Sequence, residues 1–231
     1  MTPMAVYVYA ITDGVGDVSD LRGLHDEPLR AVTVGSVVVV IGHAVERVTA
    51  TRELLATQDR IVRALHTRAN ALLPVRFAAT VPDMEALARH AALKDARLQA
   101  ALRNVRGRDQ MTLWLMKKGA QPVPPMEAPA VPPPPPKTKS GRQYLAQRAA
   151  AQAICPEAQA LAEILRPLVH DERIEQGKVA GIAASLYHLI DRPNATAYRR
   201  AVVKAAADLP SVAIRVSGPS PAYAFTVLGN S

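Results

Sequence analysis

The residues that could carry chemistry are few, and their spacing argues against most reactions. Ile11-Thr12-Asp13-Gly14-Val15-Gly16 sets two glycines after a strand-like run, as a dinucleotide-binding loop does. That motif needs a following helix whose N-terminal amides face a phosphate. Here Asp17-Val18-Ser19-Asp20 follows, acidic and loop-like, so a plain turn is the reading. No P-loop, HExxH or GxSxG pattern occurs. Histidines 25, 43, 66, 90, 170 and 188 do not fall at metal-ligand spacing with one another or with the single Cys155. Asp171, Glu172 and Glu175 form an acidic cluster. Paired carboxylates catalyse only with a pocket and separated pKa values, so these are read as a solvated helix end. No catalytic residue, cofactor or metal is expected, and the protein is read as a non-enzyme. Cys155 cannot form an internal disulfide, and the N-terminus lacks a signal-peptide pattern, which points to the cytoplasm.

Tyr7 and Tyr9 offer a different chemistry. Two tyrosines on one side of a strand can stack bases, as RNA-recognition sheets do. The net charge of +8 permits an acidic partner, but the excess is spread thinly, with no basic run longer than two residues. The Lys/Arg-Gly-Phe element of such sheets is missing, and aromatics make up only 4% of the chain. RNA binding through a sheet with stacking tyrosines is therefore the alternative, not the main reading, and no nucleic acid is expected. Burial of both rings in a domain contact is favoured.

The elements that must position these residues form an α+β chain. With 49% hydrophobic and 21% charged residues, 231 residues suit one or two globular domains, and no run approaches the roughly 18 apolar residues of a membrane helix. Residues 5–11 read as a strand. Two further strands flank Gly35-Ser36, whose leading glycine suits a type II′ hairpin. Helical stripes run over residues 51–72 and 83–105, the second closed by Gly107. Residues 73–80 read as a strand, and 111–116 as the last strand of this half. The order β, β-hairpin, α, β, α, β resembles a modified ferredoxin-like sheet with two helices over residues 1–119. Both faces of its strands are apolar. Two helices are expected to cover one face, leaving the other to the C-terminal half or to another protein.

Nine of the fifteen residues 122–136 are proline, which excludes helix and central strand. Residues 120–139 are read as a semi-rigid linker. Residues 140–231 then form a second α+β domain. Its helical stretch is expected to break at Pro156; a strand or strand pair covers 178–190, and a helix behind Asn194 covers 195–208. A strand at 212–216 is stopped by Gly218-Pro219-Ser220-Pro221. The closing segment, 222–228, is read as a strand or tail with Tyr223, Phe225 and Val227 on one side.

Five ordered strings resemble the gas vesicle proteins F and L. They are Tyr7-Val8-Tyr9-Ala10-Ile11, Leu72-Leu73-Pro74-Val75-Arg76-Phe77, Val105-Arg106-Gly107-Arg108, Ser140-Gly141-Arg142-Gln143-Tyr144-Leu145, and Gly218-Pro219-Ser220-Pro221-Ala222-Tyr223-Ala224-Phe225. Ala78 stands where the family usually has glycine, and Gln58 where histidine is common; Ser220, Ala222 and Ala224 depart from its closing element. The resemblance implies two α+β domains and a non-enzymatic cytoplasmic role at the gas vesicle. The implied partners are the small hydrophobic shell protein and other accessory proteins, with the chain helping the shell to nucleate or grow. The expected partner-binding residues are Tyr7, Tyr9, Arg76, Phe77, Tyr223 and Phe225.

Overall fold

The computed structural model describes residues 5–43, 48–117, 155–177 and 181–226. The proline-rich linker and the Ser140–Leu145 string lie outside the described residues, as does Val227. The chain divides into two compact units. One comprises residues 1–110 and 220–231, the other 111–219. The class is α+β, as expected.

In the first unit, β1 (Val6–Thr12) is buried along its whole length. It pairs antiparallel with β3 (Val37–His43), β4 (Leu72–Pro74) and β5 (Thr80–Val81). With β2 (Arg30–Val34) outside β3, the sheet order is β2-β3-β1-β4. Gly35 at φ +59°, with Ser36 outside the left-handed region, closes the β2–β3 hairpin as a type II′ turn. A bulge at Tyr9 shifts the β1–β3 register. As a result Tyr7, Tyr9 and Ala10 all join one cluster.

That face is covered by α1 (Arg52–Arg68), through Ile61, Val62 and Leu65. Thr51 starts the helix by accepting a hydrogen bond from the Leu54 amide. The loop before β2 adds Val18, Leu24 and Leu29. The second helix, α2 (Met84–Val105), is capped by Asp83 through the Ala86 amide. Its first residues share a small cleft with Val6 and Ile41, and Ser36 Oγ bonds Asp95 farther along the helix. Val6, Val8, Val37, Val39 and Ile41, all buried, form the face on that side.

The expectation that both helices share one face is therefore corrected. Each helix takes one face, because both sides of the β1–β3 pair are apolar enough to hold one. The expected strand over 73–80 is also divided. Ala78 at φ +61° turns the chain between β4 and β5.

The third correction concerns β6 (Arg108–Lys117), expected to close the first sheet. From Met111 onward it belongs to the second unit, whose sheet runs β7-β8-β6-β9. The other elements are α3 (Pro156–Leu165), β7 (Asp171–Gln176), β8 (Ile182–Asp191), α4 (Ala195–Ala207) and β9 (Val212–Ser220). The sequence β6-α3-β7-β8-α4-β9 is the β-α-β-β-α-β order of ferredoxin-like units. The first sheet has the same spatial order, β2-β3-β1-β4, but no helix stands between its first two strands, so it is a modified form of that pattern. Met111, Leu113, Leu115 and Leu186 pack with Leu161, Leu165, Tyr198 and Val202 in one core under the two helices.

Three local readings change here for physical reasons. Pro156 starts α3 at a position where the absent N–H costs nothing. Asp171, Glu172 and Glu175 lie on an edge strand rather than a helix end, and edge strands tolerate charge. Strand β9 runs through Gly218-Pro219 to Ser220, as an edge strand allows. Asn194 precedes α4 but its side chain makes no capping bond.

Candidate functional site

Tyr7 and Tyr9 are 1% and 0% exposed, with ring centroids 4.7 Å apart. They form part of the core, so neither can stack a base nor touch a partner. The RNA reading that rested on them is corrected, and so is their place among the contact residues.

Their hydroxyls organise what lies above them. Tyr7 donates to Gln58 Oε1 at 2.5 Å, and Gln58 Nε2 donates to the Val75 carbonyl at 3.0 Å. The Ala78 amide donates back to the Tyr7 oxygen at 2.7 Å. This triangle ties α1, β1 and the 75–79 turn together. Burial pushes the Tyr7 phenol up to about 12, against the pull of the Ala78 amide, so it stays a neutral donor. Tyr9 donates to Glu27 Oε1 at 2.6 Å and accepts from the Leu24 amide at 2.8 Å, while the His25 amide donates to Glu27 Oε2. Gly42 leaves room for this contact. A Cβ there would meet Glu27 Oε1 at 2.6 Å and the Tyr9 ring at 3.1 Å.

The triangle sets the position of Arg76 and Phe77. Arg76 is exposed, and Phe77 is half-buried against the α1-side cluster. The turn at Tyr223–Phe225 packs beside β4, the strand that leads into them. It is a single 3-10 turn rather than a strand or extended tail with both rings on one side, so Tyr223 and Phe225 part company. Phe225 is 2% exposed, whereas Tyr223 remains 39% exposed. The Ala224 amide donates to Gln110 Oε1 at 2.7 Å and Ser220 Oγ to the Gln110 carbonyl, fixing the segment. Tyr223 donates to Asp59 Oδ1 at 2.8 Å, and Arg63 holds the other carboxylate oxygen at 2.7 Å. Of the six expected contact residues, three thus reach the surface of one unit: Arg76, Phe77 and Tyr223.

A polar network in the second unit escaped the sequence reading. His188 of β8 is fully buried, with Nε2 2.8 Å from Glu172 Oε2 and Nδ1 2.7 Å from the Tyr198 hydroxyl. A carboxylate only accepts, so Nε2 carries the proton and Nδ1 accepts from Tyr198. Burial lowers the imidazole to about 4 and raises the Glu172 carboxyl and the Tyr198 phenol. The ring is held neutral in one tautomer. Glu172 also lines an open cleft of about 960 Å³ with Glu163, Arg166, His170 and Asp171. The signal available in sequence was the cross-strand pairing of Glu172 with His188, which needs the register to be seen. Among the described residues, no group of three or more His, Cys, Asp or Glu could hold a metal, and no helix is long and apolar enough to cross a membrane.

Comparison with known proteins bears on the whole chain. The family described as gas vesicle synthesis protein GvpL/GvpF matches residues 5–227. The crystal structure of the gas vesicle protein GvpF from Anabaena superposes with a TM-score of 0.74 at 16% identity, covering 98% of this chain and 100% of that one. GvpF from Microcystis aeruginosa gives a TM-score of 0.72 at 12% identity, over 96% and 98% of the two chains. At these identities the likeness is one of fold. No curated protein matches the sequence.

Proposed function

Because the chain belongs to the GvpL/GvpF family of gas vesicle synthesis proteins, we propose that it acts as a non-enzymatic assembly factor or minor component that binds the hydrophobic shell protein. In this reading it helps the shell to nucleate or grow, in the cytoplasm and at the vesicle. A shell subunit is amphipathic and aggregates when alone, so a factor that handles it needs exposed apolar surface on a rigid support.

The surface placement of Arg76, Phe77 and Tyr223 on one unit is the observation that supports this reading. Two of the three side chains are aromatic and partly exposed, one is cationic, and a buried hydrogen-bonded network holds the supporting turn. Aromatic and arginine side chains are the types that dominate binding energy at interfaces. The chain's positive charge favours an acidic segment on the partner. The two faces of the first sheet, by contrast, contribute nothing directly, since each is already under a helix.

Co-purification with the shell protein at moderate salt tests the proposal. The folded chain is expected to retain shell protein, and Tyr223→Ala to retain less. A folded chain that binds none removes the assembly reading.

A further inference from the structure

An antiparallel sheet must do something with its two edges. In the first unit the β4 side has the Tyr223–Phe225 turn packed against it. The β2 side ends the sheet. With Val34 opposite Val37 across a two-residue turn, the residues that exchange backbone bonds with β3 are Val34, Val32 and Arg30. Ala31 and Thr33 then aim both N–H and C=O outward. Both residues are exposed, and among the described residues neither makes another backbone bond. The strand, Arg-Ala-Val-Thr-Val, has no proline, lysine or bulge to guard it.

We propose that this edge is a second contact for the partner, separate from Arg76, Phe77 and Tyr223, made by adding a strand to β2. The occupant is an extended segment of the shell subunit, so the inference rests on the function proposed above and names its docking mode. The chemistry of the edge specifies that segment. Val32 and Val34 lie on the α2 side and are half-buried and buried, so side chains added beside them are apolar. Ala31 and Thr33 lie on the opposite, wetter side, so their neighbours are polar. Arg30 is exposed at one end and makes no ion pair among the described residues, so it meets a carboxylate. An alternating, β-forming segment with one acidic residue fits all three requirements. A second copy of this chain fits less well. Its own edge, Arg-Ala-Val-Thr-Val, has no carboxylate to meet Arg30.

Hydrogen exchange of the full chain, alone and with purified gas vesicle shell protein, tests this. The Ala31 and Thr33 amides exchange fast in the free protein and slow at least tenfold in the complex, while those of Val32 and Val34 are slow in both. Thr33→Pro removes one outward N–H and leaves the β2–β3 bonds in place. It is expected to weaken shell binding about tenfold with an unchanged melting temperature. Shell binding with no new protection at Ala31 and Thr33 overturns the edge while the assembly reading stands. A wild-type chain that binds no shell protein overturns both. Protection that grows with protein concentration in the absence of shell protein overturns the choice of occupant in favour of a second copy.

Discussion

Gln58 on α1 and Tyr7 on β1 share a 2.5 Å hydrogen bond, and the far end of the same amide holds the Val75 carbonyl. One side chain therefore joins helix, central strand and the turn that displays Arg76 and Phe77. Replacing it by Leu strands a buried carbonyl and a phenol donor. Gln58→Leu is expected to cost about 1–3 kcal/mol, read by urea unfolding. Histidine, with one donor and one acceptor nitrogen when neutral, can replace both bonds and is expected to cost less. Equal losses for the two variants would show that the amide's bonds do not matter.

Ala78 is an L-residue in the left-handed region at φ +61°. A side chain there costs about 1–2 kcal/mol, partly offset by the greater freedom glycine has when unfolded. Ala78→Gly is therefore expected to raise stability by roughly 0.5–1 kcal/mol and to leave the turn unchanged. A lower melting temperature for the variant would contradict the assigned backbone.

His188 makes the second unit acid-sensitive. Its folded value of about 4 lies below the ordinary 6.5. The folded chain therefore holds fewer protons than the unfolded one between those values. The stabilisation is complete above pH 6.5 and is lost as pH falls toward 4. Its full size is about 3 kcal/mol. Glu172, raised by burial, works in the opposite direction and returns part of it. Unfolding free energies at pH 7 and 4.5 are expected to differ by about 1–3 kcal/mol, with the difference reduced in His188→Gln. A pH-independent wild type would sink this account.

Tyr223 and Arg76 test the proposed contact without touching the core. Tyr223→Phe removes only the bond to a half-exposed Asp59 and is expected to change stability by less than about 1 kcal/mol. Tyr223→Ala and Arg76→Glu are each expected to weaken shell binding roughly tenfold, the second losing its effect as salt rises. Titration of the shell protein onto each immobilised variant gives the comparison. Wild-type affinity in both would move the contact elsewhere.

Local chemistry was legible in the sequence wherever it is settled within a few residues. The Gly35-Ser36 turn is of this kind, because a II′ turn is decided by its own two residues and their φ angles. The assignment of β6 was not. Its Met111, Leu113 and Leu115 alternate as any half-buried strand does, and nothing in that period says which sheet it joins. The roles of Tyr7 and Tyr9 depended on partners 18 to 71 residues away, namely Glu27, Gln58 and Ala78. Tyr223 and Phe225 look alike on an extended segment, and only the helical turn separates the buried ring from the displayed one. The His188 network needed both a strand register and a helix docked above it.

The division of α1 and α2 between the two sides of the first sheet bears on the proposed handling of a sticky client. A chaperone that kept a bare sheet ready would itself precipitate whenever its client was away. Here the unit hides its own greasy layers whether occupied or idle. In the proposed role it would meet a subunit along a narrow margin and release it without baring those layers.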